Sequence, residues 1–132
     1  MKLLNVILAG ALLAVGIAAG AQDPTPEHKA AMKDLGKWMG LLRKGVDVEQ
    51  NATLLADAMK KVAPMLKAYP GGGQDAMKSC GDTRKGALAI AAAAKAGDKE
   101  GIAAGMKAMG AGCKSCHEAH REKISETEYK IK

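Results

Sequence analysis

From residue 26 onward, apolar side chains recur at every third or fourth position in four successive runs, the first three closed by glycine or proline. That period places one apolar stripe along a helix and is incompatible with the two-residue alternation of a half-buried strand. Val, Ile and Thr are sparse. The pattern predicts an all-α, antiparallel four-helix bundle with short connections.

The first helix is expected over about Pro26 to Lys44, with Thr25 as cap, Pro26 at its first turn and Gly45 at its exit. Its stripe is Met32, Leu35, Met39 and Leu42, with Trp38 beside it. The second is expected over about Val48 to Tyr69 with Asp47 as cap. Val48, Ala52, Leu55, Met59, Val62 and Leu66 form its stripe, and Pro64 should bend or break its last turn. The third runs from about Gln74 to Ala96, with Cys80, Ala87, Ala91 and Ala94 on one face and Gly97 closing it. Asp98 caps the fourth, expected to run from Lys99 to about Tyr129 along Ile102, Met106, Met109, Cys113, Cys116 and His120.

The chain begins Met1-Lys2, followed by an apolar run from Leu3 to Ala19 and the small-residue site Ala19-Gly20-Ala21. This is the three-part build of a secretory signal peptide, so residues 1–21 are expected to be removed and 22–132 to form one domain. An uncleaved anchor is the alternative, but the run is short and Asp23-Pro24 follows at once. The expected location is outside the cytoplasm, most simply a bacterial periplasm. Loss of Lys2 leaves 19 basic against 14 acidic residues, about +5. That charge favours acidic partners. Nucleic acid is excluded by compartment and by the lack of a basic block with interleaved aromatics.

The chain has no Phe, one Trp and two Tyr, against many Ala, Gly and Met. Aromatic side chains normally supply much of a small core. A large apolar cofactor would fill the gap, or small residues would let helices approach closely; composition does not choose.

Cys113-Lys114-Ser115-Cys116-His117 is C-x-x-C-H, the attachment motif for c-type haem. On a helix, positions i, i+3 and i+4 share a face. Two thiols can therefore reach two vinyl groups on one porphyrin edge while the imidazole turns under the iron. A thioredoxin-like disulfide lacks its βαβ context, and a zinc site lacks a second ligand pair, since Cys80, His28 and His120 form none. One covalent haem is expected.

Two stretches resemble the class II cytochromes c, the family of cytochrome c′ and cytochrome c-556, over about Glu27 to Lys123. One is Gly112-Cys113-Lys114-Ser115-Cys116-His117 with Arg121 four residues beyond the histidine. The other is Met32-Lys33-Asp34-Leu35-Gly36-Lys37-Trp38-Met39 with Lys44-Gly45 after it, similar to the first helix of c-556. The resemblance implies that Met32 is the second axial ligand and that Arg121 matches the arginine near the haem histidine. It departs from the family at His120, where Phe or Tyr is usual, and in the short Pro70-Gly71-Gly72-Gly73 connection.

The sixth position of the iron sets the function. Ligation by Met32 makes a periplasmic electron carrier with six-coordinate His/Met iron, and no enzyme. An open site makes a five-coordinate haem protein that binds NO or CO, as in cytochromes c′, where the equivalent position holds a non-ligating apolar side chain. His28, one turn before Met32, offers a bis-His alternative but reads as a solvated residue near a frayed helix start. The other methionines read as packing, His120 as exposed and Cys80 as a buried thiol. Lys107, Lys114, Arg121 and Lys123 share the motif's helix: either they ring the exposed haem edge, where acidic redox proteins would dock, or they form a solvated helix face. A homodimer through the first two helices is common in the family.

Overall fold

The computed structural model describes residues 20–70 and 73–132. Residues 1–19, which hold most of the expected leader, lie outside the described residues. No described helix is long and apolar enough to cross a membrane.

Four helices follow in order: α1 (Pro26–Arg43), α2 (Val48–Leu66), α3 (Gln74–Ala96) and α4 (Lys99–His120). They form the four-helix bundle that the apolar periodicity predicts. The Thr25 hydroxyl accepts from the His28 N–H at 3.2 Å, and Asp98 caps α4 by accepting from the Gly101 N–H at 2.9 Å. Gly45 and Gly97 end α1 and α3 at φ of 70° and 69°, the left-handed region that glycine enters freely. Asp47 sits where a cap was expected, but at φ 40° and with no capping hydrogen bond from its side chain. Asn51 instead donates to the Val46 carbonyl at 2.8 Å and ties the turn to the helix. Beyond Pro64, the chain tightens into i→i−3 bonds at Lys67, Ala68 and Tyr69, so α2 ends at Leu66 rather than Tyr69.

Consecutive helices pack against one another along the seams α1·α2, α2·α3 and α3·α4. The α3·α4 seam is tightest because glycine lines it. A Cβ on Gly86 would lie 2.6 Å from the Met109 nitrogen, and one on Gly112 would lie 2.8 Å from the Thr83 nitrogen. Leu55, Val62, Thr83, Ile90 and Met109 are fully buried there and beneath α2. Small residues thus account for one half of the aromatic-poor composition. The fourth seam, α1 to α4, accounts for the other, because it is held open by a cavity.

The fourth helix corrects an expectation. It stops at His120, and Arg121–Lys123 (β1) pairs antiparallel with Tyr129–Ile131 (β2). The cause lies in the turn. The Ser125 hydroxyl accepts from the Thr127 and Glu128 N–H groups, at 3.3 and 3.0 Å, and the Glu128 carbonyl accepts from the Ile124 and Ser125 N–H groups. A serine bonding to nearby backbone competes with helix propagation. Ile131 is then buried in the core, and its backbone pairs with Gln22 through two 2.8 Å hydrogen bonds, joining the two ends of the described chain.

Candidate functional site

The cavity between α1 and α4 has a volume of about 960 Å³, at the upper end of the ~300–1,000 Å³ usual for cofactor sites. Leu55, Met59, Val62 and Leu66 of α2 form its apolar floor. Met32 reaches it from α1, and Cys113, Cys116, His117 and Arg121 from α4 and its end, so the five residues singled out in the sequence share one cavity. Met39 and Met59 line it as well, a placement that periodicity did not distinguish from packing.

The thiols differ. Burial pushes Cys113 up, against a contact of its sulfur with the Thr83 hydroxyl at 3.9 Å. Cys116 is brought down to about 7 by a hydrogen bond from the Cys80 thiol, which outweighs its burial. Cys80 itself is held protonated by that same bond and by burial, and is 3% exposed. The expectation of a buried thiol holds, but its place beside Cys116 was not legible. The walls around His117 desolvate its ring and, with the charge of Arg121, hold its pKa down, so the imidazole is available as a neutral ligand.

Two histidines correct the sequence reading. His28 is not solvated: it is 2% exposed, lines the cavity and packs edge-on against Tyr69 with ring centroids 5.5 Å apart. Its pKa is lowered by burial and then by His117. The cap at Thr25, whose own N–H is held by the Tyr69 hydroxyl at 2.9 Å, pins the first turn that was expected to fray. His120 is likewise buried, its Nε2 2.9 Å from Asp75 in the first turn of α3. It ties the end of α4 to the start of α3.

Of the four basic residues on the motif's helix and its extension, Lys114 pairs with Glu118 at 3.6 Å and Lys123 with Glu126 at 2.8 Å. The Arg121 guanidinium lies over the Tyr129 ring, 4.6 Å from its centroid.

A covalently attached haem fits this site. The thiols and imidazole are presented to one cavity of suitable size with an apolar floor. Three buried polar atoms in residues lining it, His28 Nδ1, Arg121 Nε and the Tyr129 hydroxyl, have no partner within the protein.

Comparison with curated proteins and with solved structures gives no significant match. The family model described as Cytochrome C′ matches residues 73–121, which span α3, α4 and the C-x-x-C-H motif. Over these residues the chain is similar to the Cytochrome C′ family, and the four-helix architecture with the C-x-x-C-H motif opening onto the inter-helix cavity fits a covalently held c-type haem.

Proposed function

We propose that this protein is a periplasmic single-electron carrier whose iron is ligated by His117 and Met32. The observation that carries the reading is the placement of Met32 and His117 on the two helices that flank one cavity, α1 and α4. When bound, the haem supplies a one-electron ferric/ferrous couple. Cys113 and Cys116 would hold it by thioethers, and His117 would offer a neutral imidazole. Met32 would offer a soft thioether, which favours ferrous iron and raises the potential. Leu55, Met59, Val62 and Leu66 keep water from the cavity floor. The leader-like segment and the export typical of this family support a periplasmic location. The proposal includes no substrate turnover, and acidic redox proteins are the partners that the basic helix would recruit.

Spectra of the oxidised and reduced protein test this reading. Wild type should be low-spin in both states. Met32→Ala should become five-coordinate or take up water, bind CO readily and lose potential, whereas Met39→Ala, one face-repeat further along α1, should remain low-spin. A high-spin wild type, or a low-spin Met32→Ala, defeats the assignment and moves the open-site, NO- or CO-binding reading to first place.

A further inference from the structure

The fourth seam ends in a polar cluster that neither the motif nor Met32 uses. Among the described residues four buried side-chain polar atoms lack a partner, and three of them belong to residues lining this one cavity: His28 Nδ1, Arg121 Nε and the Tyr129 hydroxyl. Buried polar groups are ordinarily satisfied, so three orphans in one cavity point to a ligand that satisfies them. They come from three elements: the first turn of α1, the junction of α4 with β1, and β2. The cluster is continuous. His28 packs on Tyr69, burial raises the pKa of Tyr129 within the field of Arg121 and Tyr69, and Arg121 lies over the Tyr129 ring.

The direction of the helices places this cluster at the end of the cavity away from Cys113. Arg121 lies eight residues beyond Cys113, ~12 Å along a helical rise. The Gln22–Ile131 pairing brings the start of α1, with His28, to that same end. His28 precedes Met32 by four residues, ~6 Å along α1. A residue over the iron at Met32 therefore puts His28 over the porphyrin periphery. The two cysteines take the vinyl edge of the porphyrin, so its two propionates point the opposite way. A carboxylate is an acceptor, and an imidazole N–H, a guanidinium N–H and a phenol are donors. Lys29, Lys33 and Lys130 also line the cavity, against Asp23 and Glu128, and leave its lining cationic there.

We propose that His28, Arg121 and Tyr129 form the site that binds the haem propionates, with the C-terminal hairpin as its outer wall. Tyr129 lies on β2, beyond residue 121 where the family match stops. The proposal rests on the covalent haem and not on the identity of the sixth ligand.

The test is resonance Raman spectroscopy of the ferric holoprotein, reading the propionate bending band and, in the same spectra, the spin-state marker bands. Tyr129→Phe removes one hydroxyl and keeps the ring under Arg121. His28→Phe keeps a ring against Tyr69. Each should shift the propionate band to lower frequency. Tyr69→Phe, whose hydroxyl is engaged by the Thr25 N–H, should leave it in place. If His28→Phe yields no holoprotein, Tyr129→Phe alone decides. An unmoved band in Tyr129→Phe, or an equal shift in Tyr69→Phe, overturns the proposal. A low-spin spectrum with an unmoved band removes this site and leaves Met32 ligation standing; a high-spin spectrum with a shifted band does the reverse.

Discussion

Replacing Gly86 with alanine sets two effects of opposite sign against each other, and the structure says which wins. In a helix interior, glycine to alanine contributes about 0.5–1 kcal/mol of stability through backbone entropy. At Gly86 the new Cβ would lie 2.6, 2.8 and 2.9 Å from the Met109 nitrogen, Cα and Cβ. Carbon contacts are most favourable near ~3.5–4.0 Å, so α3 and α4 must separate by roughly 1 Å. The obstacle is backbone and cannot swing aside. Overpacking of this kind costs about 1–3 kcal/mol, with Ile90 and Met109 losing contact as the seam opens. Gly81, in the same helix, has nothing within 4 Å of its added Cβ. Gly81→Ala therefore receives the helical gain alone, and comparing the two variants cancels that gain. Thermal unfolding of the two holoproteins, followed by circular dichroism at 222 nm, should place Gly86→Ala about 1–3 kcal/mol below Gly81→Ala. That is about 4 °C of melting temperature for each kcal/mol. A Gly86→Ala protein that melts with or above Gly81→Ala would refute the close α3·α4 approach.

The attachment chemistry predicts that acid-acetone leaves the haem on the chain, and that a thiol reagent finds only Cys80, and only after unfolding, since that thiol is 3% exposed. Extractable haem or a second reactive thiol contradicts it. The Asp75 carboxylate is held below its ordinary range: desolvation is the largest single effect and acts upward, but the Ala76 N–H, His120 and the Asp75 N–H together outweigh it. Its contribution is therefore present above about pH 4 and lost as pH falls through the lower folded value. The melting-temperature gap between wild type and Asp75→Asn should close on acidification, and a gap independent of pH would count against the Asp75–His120 tie. Electron transfer with an acidic protein partner should slow as salt rises, with a shallow slope because Lys114 and Lys123 already face Glu118 and Glu126; a rate flat in salt removes the basic docking face.

The helices were legible because their signals are local. The apolar stripes, the Thr25 and Asp98 caps and the glycines at positions 45 and 97 are each read within a few residues. C-x-x-C-H was legible for the same reason. What escaped depends on distant residues. His28 looked like a solvated residue at a helix start because Tyr69, which covers it, lies 41 positions away. His120 looked exposed because its partner, Asp75, lies on another helix, 45 positions away. The end of α4 was misplaced by the apolar stripe running into Arg121, where the Ser125 turn and the burial of Ile131 override helical periodicity. Met32, Met39 and Met59 look alike as stripe residues, and only packing shows that all three reach the cavity.

The pairing of Gln22 with Ile131 bears on the order in which the molecule assembles. The helix contacts α1·α2, α2·α3 and α3·α4 join neighbours in sequence, so the bundle has the low contact order of fast-folding helical domains. The Gln22–Ile131 bridge spans nearly the whole described chain. It closes a far larger loop than any of the helix turns, and loop-closure entropy rises with loop length. The ends should therefore be tied after the helices have met. Until then the C-terminal hairpin, itself a local pairing, is not fastened to the start of the chain, and that end of the open seam is the last part of the molecule to be closed.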